Sequence, residues 1–443
     1  MKDAENLVYR SYLRAIKNIE IAEDAKVKKP ELTRQLFDRL GSPDIGQKFI
    51  LVTGSKGKGS TSRFISSLLG HLGYKVGLFT SPHLVDFNER IRIGGKAISD
   101  EDFMSLSEQV LPSFEEIEDT LAEDEYQGPI GIALAIATLY FRENNTDINV
   151  IECGRGGSFD DANILENEWA VITPVMEEHL NFLGPTIGDV IDHKLGIIKP
   201  STKLVYISEQ QEQISQIIEK KLSNYSGEIA YYGTDFEAKN IQLNARGTGF
   251  DVATSNQAYA ELTLPLLGKF QASNAAIAVK ICEDIYGRVI DLAVLKNCFG
   301  TMQWPGRCEI IDENPTVIVD GAIHEESAKH VGQVLQKISG YHIITIISVP
   351  SDKDYKGVIK VASEFSYKII ITKPDISHLN FPDDAYSYAR SLLSNSIETS
   401  ELKEAVQLAK IEEAVDIILI LGTQTLIANA KRLWNQDLLD IGI

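Results

Sequence analysis

Three glycines, Gly54, Gly57 and Gly59, are interleaved with Ser55, Lys56 and Lys58, and the hydroxyls of Ser60 and Thr61 follow at once. Glycine backbone reaches positive φ and brings N–H groups close to an anion, and a helix opening near Ser60 aims its positive end at the same place. Lys58 adds a mobile charge for the outer phosphates of a nucleotide, and the Ser60 or Thr61 hydroxyl reaches Mg²⁺. The common spacing G-x-x-x-x-G-K-[ST] is not met, because Gly59 separates Lys58 from Ser60. A second group of polar residues follows predicted strands: Ser81, Glu152 and His179. Parallel α/β sheets place ligands outside the carboxyl ends of their strands. A hydroxyl, a carboxylate and an imidazole there could hold a divalent ion that keeps some of its waters. Read one by one, the same residues are ordinary solvated or hydrogen-bonding side chains.

The elements that position these groups alternate. The run FILV at 49–52 reads as a strand, and Phe64, Ile65, Leu68, Leu69 and Leu72 recur at helical spacing after the loop. Strands are expected at 75–80, 148–153, 169–173 and 203–207, and helices at 131–143 and 187–198, with Ser99 and Asp102 forming a capping box before a further acidic helix. The segment up to Lys29 is helical in pattern, and 30–40 forms a second short helix. This βαβ series predicts a parallel sheet. Between Gly227 and Leu266 short alternating strands predict a small antiparallel subdomain, followed by helices at 271–286 and near Leu292. The Trp-Pro-Gly run within MQWPGR, 302–307, reads as a hinge. A second α/β series follows, with strands at 316–319, 343–349, 368–372 and 416–421. Two domains are expected, 1–300 and 301–443.

Composition narrows the partners. With 63 acidic against 43 basic residues the net charge is −20, so no general electrostatic footprint for nucleic acid exists. Cys153, Cys282, Cys298 and Cys308 show no C-x-x-C spacing, as reduced cytosolic thiols do. The opening MKDAENLVYRSYL lacks the apolar centre of a secretory signal, and the apolar stretch 131–141 is too short to span a bilayer. A cytoplasmic protein with small-molecule partners and no membrane partner is expected.

The phosphate loop, TSPHLVDFNERIRIGGKAISDEDF at 80–103 and MQWPGRCEII at 302–311 closely resemble the folylpolyglutamate and dihydrofolate synthase branch of the Mur ligase superfamily. IECGRGGSFDDAN, HKLGIIKP, LLGKFQASNAA, the DGA of Asp320 to Ala322, SDKDY and LGTQTLIANAKR follow in family order. The resemblance implies a P-loop ATPase domain and a carboxy-terminal Rossmann-like α/β domain. It also implies an ADP-forming amide ligase in which a carboxylate takes the γ-phosphate of ATP and an amine captures the acyl phosphate. On it, Gly54, Ser55, Lys56, Gly57, Lys58, Gly59, Ser60 and Thr61 cradle ATP, and Asn274, Arg307 and Asp320 complete the nucleotide contacts. Ser60, Ser81, Glu152 and His179 hold Mg²⁺, and Lys58, His179 and Lys194 are the catalytic set. Lys194 matches a lysine carried as a carbamate, placed to hold a second Mg²⁺.

The departures from that family bear on the substrates. Lys56 stands where the family has asparagine, Arg155 is new, Ser158 replaces an arginine, and Ile323 occupies the column of a histidine, with His324 one position on. Three readings follow. The first adds glutamate to a folate. The second joins an amino acid or other amine to a non-folate carboxylate. The third is a nucleotide-binding partner subunit that has lost ligation, against which the retention of Lys58, Glu152, His179 and Lys194 argues.

Overall fold

The computed structural model describes residues 2–19, 22–84, 86–244, 247–336, 342–374, 379–436 and 438–443. A strand that is apolar on both faces belongs inside a sheet covered on both sides. The central strand is of this kind, with Phe49 and Leu51 facing one core and Ile50 and Val52 the other. In chain order the first sheet contains β1 (Phe49–Thr53), β2 (Val76–Phe79), β3 (Ile91–Ile93), β4 (Lys96–Ala97), β5 (Ile148–Glu152), β6 (Trp169–Ile172), β7 (Leu204–Ile207) and β8 (Glu228–Tyr231). Their spatial order is β4-β3-β2-β5-β1-β6-β7-β8; β3 runs against the rest, so the β2–β3 and β3–β4 pairings are antiparallel and the others parallel. Helices Lys58–His71 and Lys269–Tyr286 cover one face; Asp100–Glu118, Pro129–Glu143 and Ile187–Leu195 cover the other.

β9 (Phe236–Asn244), β10 (Gly247–Thr254) and β11 (Ala258–Leu264) form an antiparallel sheet against helix Lys269–Tyr286. A six-stranded sheet comprises β12 (Arg307–Glu313), β13 (Thr316–Asp320), β14 (Ile343–Ser348), β15 (Lys368–Ile371), β16 (Ile397–Glu398) and β17 (Ile417–Gly422), in the order β12-β13-β17-β14-β15-β16. Only β12 is antiparallel to its neighbour. The architecture is the α/β arrangement expected, a largely parallel sheet and a separate carboxy-terminal α/β unit. No helix among the described residues is long and apolar enough to cross a membrane.

Two expectations are corrected and one unexpected strand is added. The first segment is not one helix to Lys29: it ends at Ala15, and a short helix, Asp24–Val27, follows. The break lets the Asp24 carboxylate turn inward to the Arg155 guanidinium, where it is 2% exposed. Residues 228–231 join the main sheet in parallel beside β7, because the alternating pattern that follows Gly227 does not reveal which sheet takes the strand. The stretch after the Trp-Pro-Gly run is an edge strand, with Arg307 in register opposite Asp320.

Candidate active site

Each glycine of the phosphate loop leaves room for a different neighbour. Gly54 has φ of 141°, and a β-carbon there would stand 1.9 Å from Thr173 Oγ1 and 2.9 Å from the Thr173 carbonyl oxygen. Gly57 opens helix Lys58–His71 in the left-handed region, φ 84°, with Asn274 Oδ1 only 2.8 Å from where a β-carbon would be. At Gly59 a side chain would meet the Trp304 ring at 3.2 Å and Glu152 Oε2 at 3.4 Å. The loop is tied down by Ser55 N–H to the Pro174 carbonyl, 2.8 Å, and by Met176 N–H to Ser55 Oγ, 3.0 Å. Lys56 is exposed, while Ser60 and Thr61 are buried, and Thr61 Oγ1 has no hydrogen-bond partner among the described residues. Substituting Gly54→Ala is expected to cost roughly 2–4 kcal/mol, from positive-φ strain plus a contact that only movement of the Thr173 backbone, just past β6, relieves. A urea unfolding midpoint close to that of the parent would contradict this.

Two ammonium groups converge on one carbonyl. Lys58 Nζ and Lys194 Nζ each donate to the Gly54 oxygen at 2.8 Å. Lys194 is fully buried and also donates to the Arg155 carbonyl, 3.2 Å, and to Glu178 Oε1, 3.0 Å. Burial, then the charge of Lys58, lowers its pKa to about 8 against the opposing pull of Glu178. For Glu178 burial pushes upward, but the attraction and hydrogen bond of Lys194 outweigh it and the carboxyl ends below its ordinary value. His179 sits beside this pair at φ 52°, capping helix Leu180–Leu183. Partial desolvation lowers its pKa, Glu178 opposes this, and Arg155, Lys194 and Lys58 add to it.

Glu152 ends β5, is 6% exposed, and accepts the Ser81 backbone N–H at 3.1 Å. Burial raises its pKa; Lys58, the Ser81 N–H, Arg307 and Arg90 pull the other way. No ion pair holds Glu152 among the described residues, so its carboxylate is available to a cation, which would reverse that shift. Among the described residues no three His, Cys, Asp or Glu side chains converge as a metal cluster, so the predicted set relies on hydroxyls and water as well. From the second sheet, Arg307 is exposed on β12 and its charge lowers the pKa of both Glu152 and Asp320. Asp320 accepts the Cys308 N–H at 2.9 Å, and burial is the largest influence on it, raising its pKa.

The structure thus gathers the loop, Glu152, the Ser81 backbone, Asn274, Lys194 and the field of Arg307, with His179 exposed beside them. Sequence reading missed Thr173, Glu178 and Trp304. Glu178 had a signal, an acid directly before His179; Thr173 had none, and Trp304 was read only as part of a hinge. Arg155, the new residue, is engaged within the fold. Its Nε donates to Asp24 Oδ2 at 3.0 Å, its Nη2 donates to Oδ1, and its guanidinium lies 3.8 Å from the Phe182 ring centre.

A parallel sheet with a glycine loop at the end of its central strand, joined to a second α/β unit whose Arg307 charge is felt at Glu152 beside that loop, defines a two-part nucleotide-dependent enzyme. Residues 52–282 match the Mur ligase middle domain and 306–424 the Mur ligase, glutamate ligase domain, and the chain belongs to the Mur ligase family. It is an ATP-dependent carboxylate–amine ligase. The dihydrofolate synthase/folylpolyglutamate synthase of Bacillus subtilis (strain 168) is 31% identical over 415 residues, 91% of this chain and 95% of that protein. Folylpolyglutamate synthase of Mycobacterium tuberculosis, complexed with ADP and AMPPCP, has a TM-score of 0.81 at 25% identity, covering 93% of this chain and 96% of that one. The Thermotoga maritima folylpolyglutamate synthase gives a TM-score of 0.82 at 25% identity, covering 92% and 93%. Within the family the resemblance to this folate branch holds over nearly the whole chain.

Proposed function

We propose that this chain adds glutamate to a folate-type carboxylate through an acyl phosphate, with residues 1–300 holding ATP and 301–443 closing over it. The observation that carries this reading is the convergence of Lys58, Lys194 and buried Glu152 on the Gly54–Gly59 loop, with Arg307 reaching the same field from the second sheet. The loop fits a nucleotide: its glycines form a cradle that side chains would fill, and Thr61 Oγ1 is buried without a partner among the described residues. Gly54, Ser55, Lys56, Gly57, Gly59, Ser60 and Thr61 cradle the phosphates, and Asn274, Arg307 and Asp320 hold the rest of the nucleotide. On this reading Ser60, Ser81, Glu152 and His179 would hold Mg²⁺, which would supply charge neutralisation for the transferring phosphoryl group.

The acceptor carboxylate attacks the γ-phosphorus, ADP leaves, and the amine of glutamate displaces phosphate from the acyl carbon. Lys58 offsets the charge that grows on the transferred group, and an enclosed cleft keeps water from the acyl phosphate. The departures that favour a non-folate acceptor have uses inside this protein. Arg155 anchors Asp24, Ser158 Oγ bonds the His193 carbonyl at 3.2 Å, and Ile323 packs on the core of the second sheet. Purified protein with ATP, Mg²⁺, tetrahydrofolate or dihydropteroate, and glutamate is expected to release phosphate only when all components are present. Phosphate release with a different acid and amine pair, and none with the folates, would overturn the assignment.

A further inference from the structure

The phosphate-loop helix Lys58–His71 carries a residue with no part in the nucleotide reading. Arg63 is fully buried, forms no ion pair among the described residues, and has Nη1 without any hydrogen-bond partner. Burying a guanidinium without a carboxylate in contact is costly, and a leucine would fill the same space. What arginine adds is a rigid fork of donors able to grip two chain segments at once. Arg63 Nε donates to the Gln303 carbonyl at 3.2 Å, and Nη2 donates to the Ile441 and Gly442 carbonyls, both at 2.9 Å.

Residues 438–443 arrive there after the last helix of the second α/β unit, Gln424–Leu433, and lie along the edge of the first sheet. Ala97 N–H donates to the Leu439 carbonyl at 2.6 Å, Ile441 N–H to Gly95 at 3.2 Å, and Lys96 and Asp440 form an antiparallel bridge. Arg92 of β3 donates to the Leu438 and Leu439 carbonyls at 2.7 and 3.0 Å. Ile443 then packs on the same helix at Gly70, where a β-carbon would be 2.6 Å away. At the other end of that helix the Trp304 ring, one residue past the Gln303 carbonyl that Arg63 holds, covers Gly59.

We propose that residues 438–443 are a strap by which the second unit holds the phosphate-loop helix and Trp304 in the ATP-binding arrangement, with Arg63 as the positioning residue that receives it. The proposal rests on the nucleotide reading of the loop. When the strap lifts, Arg63 loses the two tail acceptors and is free to release Gln303, so the cover over Gly59 loosens. The strap thereby couples the position of the carboxy-terminal unit to the affinity of the phosphate loop.

The test deletes residues 438–443 and follows amide hydrogen exchange across 58–71 together with ATP affinity by calorimetry. Exchange in that helix is expected to rise by about tenfold or more, selectively over the rest of the first sheet. The ATP Kd is expected to rise about tenfold. Millimolar peptide LLDIGI should restore both. In the intact chain, Gly95→Ala places a β-carbon 1.7 Å from the Gly442 carbonyl and should produce the same selective exchange without altering the tail or Arg63. Unchanged exchange across 58–71 in both variants overturns the proposal. So does a rise spread evenly over the chain that the peptide does not reverse. A parent chain that does not bind ATP overturns the nucleotide reading instead, and the exchange data then decide the strap.

Discussion

Substituting Lys58→Ala lowers kcat by about a thousandfold while leaving the unfolding midpoint close to that of the parent enzyme. The two halves of this expectation come from the same geometry. Lys58 Nζ donates to the Gly54 carbonyl, but Lys194 donates to that oxygen as well, at the same 2.8 Å. The loop therefore keeps its tie to the floor of the site when Lys58 is removed. What disappears is a mobile positive charge beside buried Glu152, the charge able to follow the phosphoryl group as it transfers. Removing one preorganised donor from a site of this kind typically costs a factor of about 10²–10³. Steady-state phosphate release and a parallel urea titration measure the two quantities. A kcat within about tenfold of the parent would assign charge compensation elsewhere, Arg307 being the next cation in the field of Glu152.

How much of this site can be read before folding depends on the reach of each interaction. The phosphate loop is legible because strand, glycines and helix lie in one stretch, and each reports on its own backbone: Gly57 is left-handed because the helix begins there. Glu152 is legible because ligands of parallel α/β sheets gather outside the carboxyl ends of the strands, whereas Asp320 was singled out only through the family resemblance. Arg63 and Arg155 are not. Their partners stand far away in the chain, Gly442 for one and Asp24 for the other, and nothing local distinguishes a buried arginine from a solvated one. Trp304 fails for a related reason: its neighbours Pro305 and Gly306 signal a bend, while its contact with Gly59 exists only once the hinge packs on the helix. The edge strand β12 is hidden because it pairs antiparallel inside an otherwise parallel series, so the alternation of strands and helices gives no warning of it.

Lys194 connects folding, pH and chemistry in one measurable set. Its ordinary pKa of 10.5 is lowered to about 8 by burial and by Lys58. Between those values the unfolded chain keeps a proton that the folded chain has released, so stability rises with pH across that window. The burial penalty is fully present below it. A Lys194→Met variant should lack the rise, so the parent should gain roughly 3 kcal/mol relative to it over the window. The same shift makes the amine reactive, because the neutral fraction near neutral pH increases by roughly three hundredfold over a solvated lysine. Attack of that amine on carbon dioxide, with release of a proton, gives the carbamate. Carbamylation then sets two anions side by side, since Glu178 Oε1 lies 3.0 Å from Lys194 Nζ. Like charges that close are relieved by a proton on one of them or by a cation between them, and a divalent ion does so without neutralising either ligand. Uptake of carbon dioxide is therefore expected only together with Mg²⁺: native mass spectra should show the adduct with Mg²⁺ and lose it with chelator or in carbonate-free buffer. Lys194→Gln should remove the adduct and lower kcat by about a hundredfold. A parent protein without the adduct under Mg²⁺, together with an unchanged rate in Lys194→Gln, would leave Lys194 as a structural ammonium pinning Gly54, Arg155 and Glu178.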